Sequence, residues 1–422
     1  MSLKFPRVYY GWWVVAACFL IAFYTGGAVF FGFTAIFEPI AREFGWSYAQ
    51  VALAASIRGM EIGLMAPLVG MLIDRIGPRK LMSVGMVIAA IGLLMLSQTR
   101  SLAMFYGSYI LVAIGISAGT TTVTMAIVAK WFRKKIGFAT GLMICGYGAS
   151  GVVIPIMSRL IDVTGWRETV IALAAGMVVF GIPLSMVVRH RPEQYGLLPD
   201  GEPANPLVTL GNTSPEPGEV SITVKQAIRT RTFWQMTLGF MAHMAAVHTV
   251  LTHVMPYLSS IGMARTASSF VAMAIPLISV VGRFGFGCLA DRVDKRLIMI
   301  VTFSLLTAGL VAFEFVDNAG PWLMVLFLVL FSIGYGGNVT MTAVLPRIYF
   351  GRGSFGTIIG IMNGVMILGS IIGPPLAGLV FDAQGSYQWV WLGFSVLAII
   401  GLFVITTVPP VKSKADAVPS PR

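Results

Sequence analysis

The sequence predicts an all-α membrane protein of twelve transmembrane helices in two six-helix bundles, with both termini cytoplasmic. Composition, a count of apolar runs and an internal repeat lead to this. Of the 422 residues, 57% are hydrophobic and 11% charged, whereas soluble globular chains run at about 45–50% apolar and 25% charged. Apolar runs of about 20 residues, enough to cross a bilayer, begin near Gly11, Ser47, Lys80, Leu102, Gly137, Glu168, Thr232, Thr266, Leu297, Pro321, Ser354 and Tyr387. Their connections are short except from Arg189 to Arg231, which carries Pro192, Pro199, Pro203, Pro206, Pro215 and Pro217. The expected organisation is a bundle over residues 1–188, a cytoplasmic linker over 189–231, a second bundle over 232–409 and a cytoplasmic tail over 410–422.

The first run follows Lys4 and Arg7 and outlasts a signal-peptide core without a cleavage site, so it is read as the first span. Ser221 to Thr230, ahead of the seventh span, suits a short amphipathic helix on the membrane surface. Orientation follows from the basic residues. Most of the 29 Lys and Arg, including Arg75, Arg79, Lys80, Lys130, Arg133, Lys134 and Lys135, fall in loops on the side of the N-terminus. The opposite side has only Arg42, Arg100, Arg159, Arg167 and Arg265. Basic residues collect in cytoplasmic loops, so the net charge of +12 reflects topology and not nucleic-acid binding. Cys18, Cys145 and Cys288 lie inside apolar runs without a CxxC spacing, which indicates neither a disulfide framework nor a metal site.

The halves repeat each other. Gly70 to Arg75, GMLIDR, recurs as GCLADR from Gly287 to Arg292. WFRKKIGFATG from Trp131 recurs as YFGRGSFGTIIG from Tyr349, and Pro155 as Pro374. Parallel six-span repeats predict a substrate cavity at the midplane between bundles that rock against each other.

Arg283 breaks the repeat, because Met65 or Ala66 falls at the equivalent point of the second span. It lies eight residues before Asp291-Arg292, roughly 12 Å inside the membrane at 1.5 Å per residue. An arginine at mid-helix costs about 2.5–3.5 kcal/mol and is tolerated facing a watery cavity or a partner. Its planar fork can hold a carboxylate through two parallel hydrogen bonds; the structural alternative is an ion pair or snorkelling. Arg58 and Glu61 are close enough on one face of the second span to neutralise each other. On the functional reading Glu61 is the proton site, with Arg58 as its partner. His243, His248 and His253 step by five residues, about 140° around a helix, so they do not share a face as metal ligands would. His248 is the cavity candidate, as hydrogen-bond donor or proton acceptor; His253 is expected near the outer mouth and His243 packed. Tyr335, Asn338 and Asn363 are the polar groups expected in the cavity wall. Gly137, Gly141 and Cys145 on the fifth span, like Gly356, Gly360 and Gly364 on the eleventh, have the spacing that lets helices approach closely. Asp74, Arg75, Asp291 and Arg292, with Arg133, are expected to close the cytoplasmic side through carboxylates at helix ends.

GMLIDRIGPRK, Gly70 to Lys80, resembles the signature loop of the major facilitator superfamily, G-x-x-x-D-R-x-G-x-[RK]-[RK], here complete. WFRKKIGFATGLMICGYGASG resembles the fifth-span motif of monocarboxylate transporters, and YGWWVV at Tyr10 to Val15 the bacterial form of their first-span motif. RPEQYGLLPDGE, Arg191 to Glu202, is similar to what bacterial members and oxalate:formate antiporters carry after span six. The resemblance implies that Arg283 binds a substrate carboxylate, and it carries an expectation of proton symport. Two departures bear on that coupling. Ser279 stands where animal members place an acid one turn before the arginine, and Gly11 to Phe37 lacks their first-span lysine. Nor does Ser354 to Phe381 hold the lysine of oxalate carriers, so one cation suggests one carboxylate.

The function expected is alternating-access transport of a small monocarboxylate, lactate- or pyruvate-like, across a prokaryotic cytoplasmic membrane. The proton is the possible co-substrate, and a monomer is the functional unit. Anion exchange or uniport of another organic acid, dicarboxylates included, stays open, as do a drug-type exporter and an anion sensor without flux. No nucleophile and base recur at useful spacing, so no enzyme activity and no cofactor are expected.

Overall fold

The computed structural model of the chain describes residues 9–195, 198–201, 223–290, 292–351 and 355–409. Asp291 and most of the proline-bearing linker lie outside the described residues, as do the side chains of Glu61 and Asp74. The helical segments are Tyr10–Phe44, Tyr48–Ile76, Pro78–Ser97, Leu102–Trp131, Ile136–Thr164, Trp166–Val187, Arg231–Ser260, Arg265–Leu289, Lys295–Glu314, Pro321–Phe350, Phe355–Gln384 and Gln388–Thr406. They correspond in order to the twelve apolar runs and are numbered here as spans one to twelve. Among the described residues eleven helices are long and apolar enough to cross a membrane. The remaining long helix is Tyr48–Ile76, 29 residues that carry Arg58, Glu61, Asp74 and Arg75. Large apolar side chains such as Trp13, Phe138, Phe180, Trp322 and Phe403 are exposed, the pattern of a surface solvated by lipid.

Local chemistry sets the helix ends. Ser47 caps span two in a capping box with Gln50, satisfying donors that a helix N-terminus leaves without an intrahelical partner. Gly77 separates spans two and three at φ 82°, a conformation that L side chains rarely adopt. The short helix expected before span seven is present as Val224–Arg229, capped by Thr223 and Gln226. Its Ala227 is buried in a cluster with Phe233, Met299, Phe350 and Met362. Four spans are interrupted among the described residues, span five by the 3-10 turn Ser150–Val152. Gly26–Phe31 and Met177–Gly181 are π-helical turns within spans one and six, and span four breaks at Thr120.

The chain forms two compact units that cut across the expected halves. The first comprises residues 1–212, 249–277 and 371–387, so one end of spans seven, eight and eleven belongs with the N-terminal spans. The second comprises residues 213–248, 278–370 and 388–422. In the first unit spans three and four cross with backbone in contact. A Cβ on Gly85 would meet the Gly115 carbonyl at 2.5 Å. The second unit repeats the device between spans nine and ten, where Gly309 abuts the Phe331 amide and Gly334 the Leu306 amide.

Four glycines of the stripes on spans five and eleven are uncrowded. Gly137, Gly356, Gly360 and Gly364 have nothing within 4 Å of an added Cβ among the described residues. Close approach is made further along the same spans: Gly146 meets the Phe19 carbonyl, Gly151 that of Met273, Gly369 that of Met241, and Gly378 the Ala49 amide. Four-residue spacing marks helices able to pack closely but not which turn does so. Gly334→Ala is therefore expected to destabilise the purified protein by about 1–3 kcal/mol, whereas Gly364→Ala is neutral or stabilising by up to about 1 kcal/mol. Thermal unfolding in detergent reads both.

Candidate functional site

The site in the second unit is built where spans eight and ten touch. Gly282 has no room for a side chain because the Ile333 carbonyl lies against it, and Gly336 is closed off in the same way by the Ser279 carbonyl. This backbone contact places the next residue of span eight, Arg283, beside the residue of span ten that precedes Gly336, Tyr335. The half-buried guanidinium stands 5.6 Å from the centre of the Tyr335 ring, within cation–π range. The Thr340 hydroxyl donates to the Arg283 carbonyl at 3.3 Å, a further tie between the two helices. Ser279, where an acid would neutralise the arginine, is fully buried.

Asn338, one turn beyond Tyr335, is buried and belongs to a polar chain behind the site. Its amide nitrogen donates to His243 Nδ1 at 3.2 Å, so the neutral ring carries its proton on Nε2, 3.4 Å from the Thr307 hydroxyl. Thr307 in turn donates to the Ala398 carbonyl. His243 is thus packed, with its ring 3.9 Å from that of Phe303. His248 is half-buried and Asn363 exposed. The structure therefore brings Arg283 and Tyr335 together and links Asn338 to His243.

Arg58 lies in the first unit, 6% exposed. Its Nη1 donates to the carbonyls of Val29 and Phe30 at 2.7 and 2.9 Å, and the guanidinium covers the Phe30 ring at 4.4 Å. Those carbonyls belong to the π-helical turn of span one. Arg58 thus braces a break in a neighbouring helix, a role without a pattern in the sequence. Glu61, its expected partner, has its side chain outside the described residues.

At the end of the first unit opposite the N-terminus, the tips of spans seven, eight and eleven are tied to spans one, two and five. The Asp382 carboxylate accepts the amides of Tyr48 and Ala49 at 2.8 and 2.9 Å. With Ser47 holding the Gln50 amide, the first three donors of span two are satisfied. The Ser56 hydroxyl donates to the Ile371 carbonyl, and Ser259 to Glu38. Arg265 pairs with Asp162 at 3.2 Å and donates to the Ala35 carbonyl at 2.7 Å. His253 is fully buried here. The Pro374 carbonyl can only accept, so Nε2 donates to it and Nδ1 takes the Tyr387 hydroxyl, both at 2.9 Å. Of the residues expected to close the cytoplasmic side, Arg75, Arg133 and Arg292 are exposed. Asp291 and the side chain of Asp74 lie outside the described residues.

The three family-like motifs meet at the end carrying the N-terminus. The Tyr9 hydroxyl reaches the carbonyls of Trp131 and Leu198, at 3.1 and 3.0 Å, and that of Tyr10 reaches the Val187 carbonyl at 2.8 Å. The Trp131 indole donates to the Arg189 carbonyl, and the Arg189 guanidinium stands 4.1 Å from the rings of both Tyr10 and Tyr195. Asp200 accepts the amides of Arg133, Lys134 and Lys135 at the turn into span five.

The family model of the Major Facilitator Superfamily matches residues 15–347 and, in a second match, 254–421. The chain is similar to monocarboxylate transporter 13 of Bos taurus, 26% identical over 421 residues that cover 95% of this chain and 89% of that protein. It is also similar to the MFS-type transporter pynF of Aspergillus niger, 23% identical, covering 94% and 87%. Among solved structures, a bacterial homologue of the human lysosomal transporter Spinster superposes with a TM-score of 0.73 at 16% identity, covering 96% of this chain and 98% of that one.

The Asp200 contact has a measurable pH dependence. Burial raises its carboxyl, but donation from the amides of Lys134, Arg133 and Lys135 outweighs this and holds it below its ordinary value. A carboxyl depressed in the folded state stabilises fully above its unfolded value of about 4 and loses that contribution as pH falls through the folded value. The gap in melting temperature between the native protein and Asp200→Asn is expected to be constant from about pH 8 to about pH 5 and to narrow as the pH falls further.

Proposed function

Because the chain belongs to the major facilitator superfamily of multi-pass membrane transporters, we propose that it carries a small monocarboxylate such as lactate or pyruvate, with Arg283 as the group that holds the carboxylate. The observation that supports this is the half-buried guanidinium of span eight, set against Tyr335 by the glycine contacts of spans eight and ten. A guanidinium can grip a carboxylate through two parallel hydrogen bonds in a low-dielectric site, while the tyrosine face limits where the anion sits. His248 and Asn363 supply the remaining polar wall, and Asn338 stands behind it. The similarity to a monocarboxylate transporter agrees with this reading.

One carboxylate fits better than two. The other embedded arginine, Arg58, already serves the carbonyls of Val29 and Phe30. Transport proceeds by alternating access in the cytoplasmic membrane, with the basic loops inside, and the protein works as a monomer. In this reading the contacts of Asp382, Ser259 and Arg265 close the outer side and separate when the carrier opens outward. Their counterpart on the inner side draws on Asp74, Arg75, Arg133, Asp291 and Arg292. Proton symport, with Glu61 and Arg58 or His248 in the relay, is the expected coupling. Ser279 at the position of the usual acid favours a second reading, electroneutral exchange of one anion for another.

Proteoliposomes loaded with or without a pH gradient, and offered labelled mono- and dicarboxylates, separate these readings. Gradient-driven accumulation identifies symport, and dependence on an internal anion identifies exchange. Arg283→Lys keeps the charge but loses the fork, so binding is expected to weaken roughly tenfold to a hundredfold, the worth of a hydrogen bond to a charged group. Unchanged uptake by that variant would remove Arg283 from the site.

A further inference from the structure

The end of the first unit that carries Tyr9 holds a cavity built from residues other than those proposed to hold the carboxylate. Its volume is about 340 Å³, and it is lined by Ala129, Lys130, Arg133, Arg191 and Glu193. Three cations against one carboxylate leave two net positive charges in one concavity. The wall is fixed from behind. Trp131, next to Lys130, is tied to Arg189 and to Tyr9, and the Arg133 amide is held by Asp200. Lys130 Nζ donates to His190 Nε2 at 2.9 Å, joining the end of span four to the segment that leads to Arg191. Loop cations that serve only topology need no concave wall and no fixed backbone. Here the side chains sit on a frame that is already ordered, which lowers the cost of gathering them round a ligand.

We propose that this cavity binds a phosphate group, presented either by the headgroup of an acidic phospholipid or by a soluble phosphate. Guanidinium forks match phosphate oxygens in pairs while an ammonium adds a point charge. Basic pockets at the cytoplasmic ends of membrane helices take acidic headgroups, and the volume falls within the range of small-ligand sites, about 300–1,000 Å³. Glu193 lowers affinity and sets an upper limit on it.

The test uses the full-length protein in an uncharged detergent at constant ionic strength. It is titrated with dioctanoylphosphatidylglycerol, dioctanoylphosphatidylcholine, inorganic phosphate or chloride, and binding is read by calorimetry and by the rise in melting temperature. Saturable binding of phosphatidylglycerol is expected to fall at least tenfold in the triple variant Lys130→Gln, Arg133→Gln, Arg191→Gln, since each cation near such a headgroup is worth about fivefold. Binding of phosphatidylglycerol alone assigns the lipid as source, and equal retention of inorganic phosphate assigns the soluble anion. Glu193→Gln keeps every cation and should tighten binding about fivefold, which carries the test if the triple variant does not fold. The proposal is overturned if phosphatidylcholine binds as well as phosphatidylglycerol. It is equally overturned if neither phosphate probe exceeds chloride, if the triple variant binds unchanged, or if Glu193→Gln brings no tightening.

Discussion

The contact between the backbones of spans eight and ten is the constraint on which the rest of the site depends. Two glycines, Gly282 and Gly336, let the helices meet at the carbonyls of Ile333 and Ser279. Any side chain there would push the helices apart by more than an ångström and carry Arg283 away from Tyr335. Since each glycine is the immediate neighbour of Arg283 or Tyr335, the helix packing and the pairing of those two side chains are set by the same two turns. Behind Tyr335, the chain from Asn338 through His243 to Thr307 and Ala398 ties span ten to spans seven, nine and twelve.

The two embedded arginines show how one residue type takes different parts. Both lie within spans, where a charge requires a reason. Arg58 finds its reason in the carbonyls left at the π-helical turn of span one and in the Phe30 face. Arg283 presents its guanidinium beside an aromatic ring in a half-buried position. Sequence spacing drew attention to Arg58 because Glu61 follows it by one turn, yet the carbonyls it reaches lie nearly thirty residues earlier. A π-helical turn has no residue signature beyond the permissive glycines at 26 and 27, so that partnership was not legible.

Much else was. The twelve apolar runs, the short helix before span seven and the packed state of His243 all have their counterpart in the structure. What the sequence did not disclose has a common physical origin. Asp382 and Asp200 act on backbone amides, and an amide is present at every residue but proline, so no pattern of side chains announces the partner. His253 is a related case, since one of its two partners is the Pro374 carbonyl. Glycine spacing identified the right helices, spans five and eleven, but the turns in contact lie beyond the stripes and are chosen by the shape of the neighbours.

That the carboxylates grip backbone has an evolutionary corollary. Asp382 holds the start of span two, and Asp200 the turn into span five, through hydrogen bonds from backbone amides on the receiving side. Residues 48, 49 and 133 to 135 are therefore free to vary, proline apart, without loss of either clasp. The basic cluster at 133–135 can drift with the demands of topology or of a ligand while its backbone stays anchored. Each contact is inherited through a single aspartate, and a lineage that loses it has no compensating change available on the opposite helix.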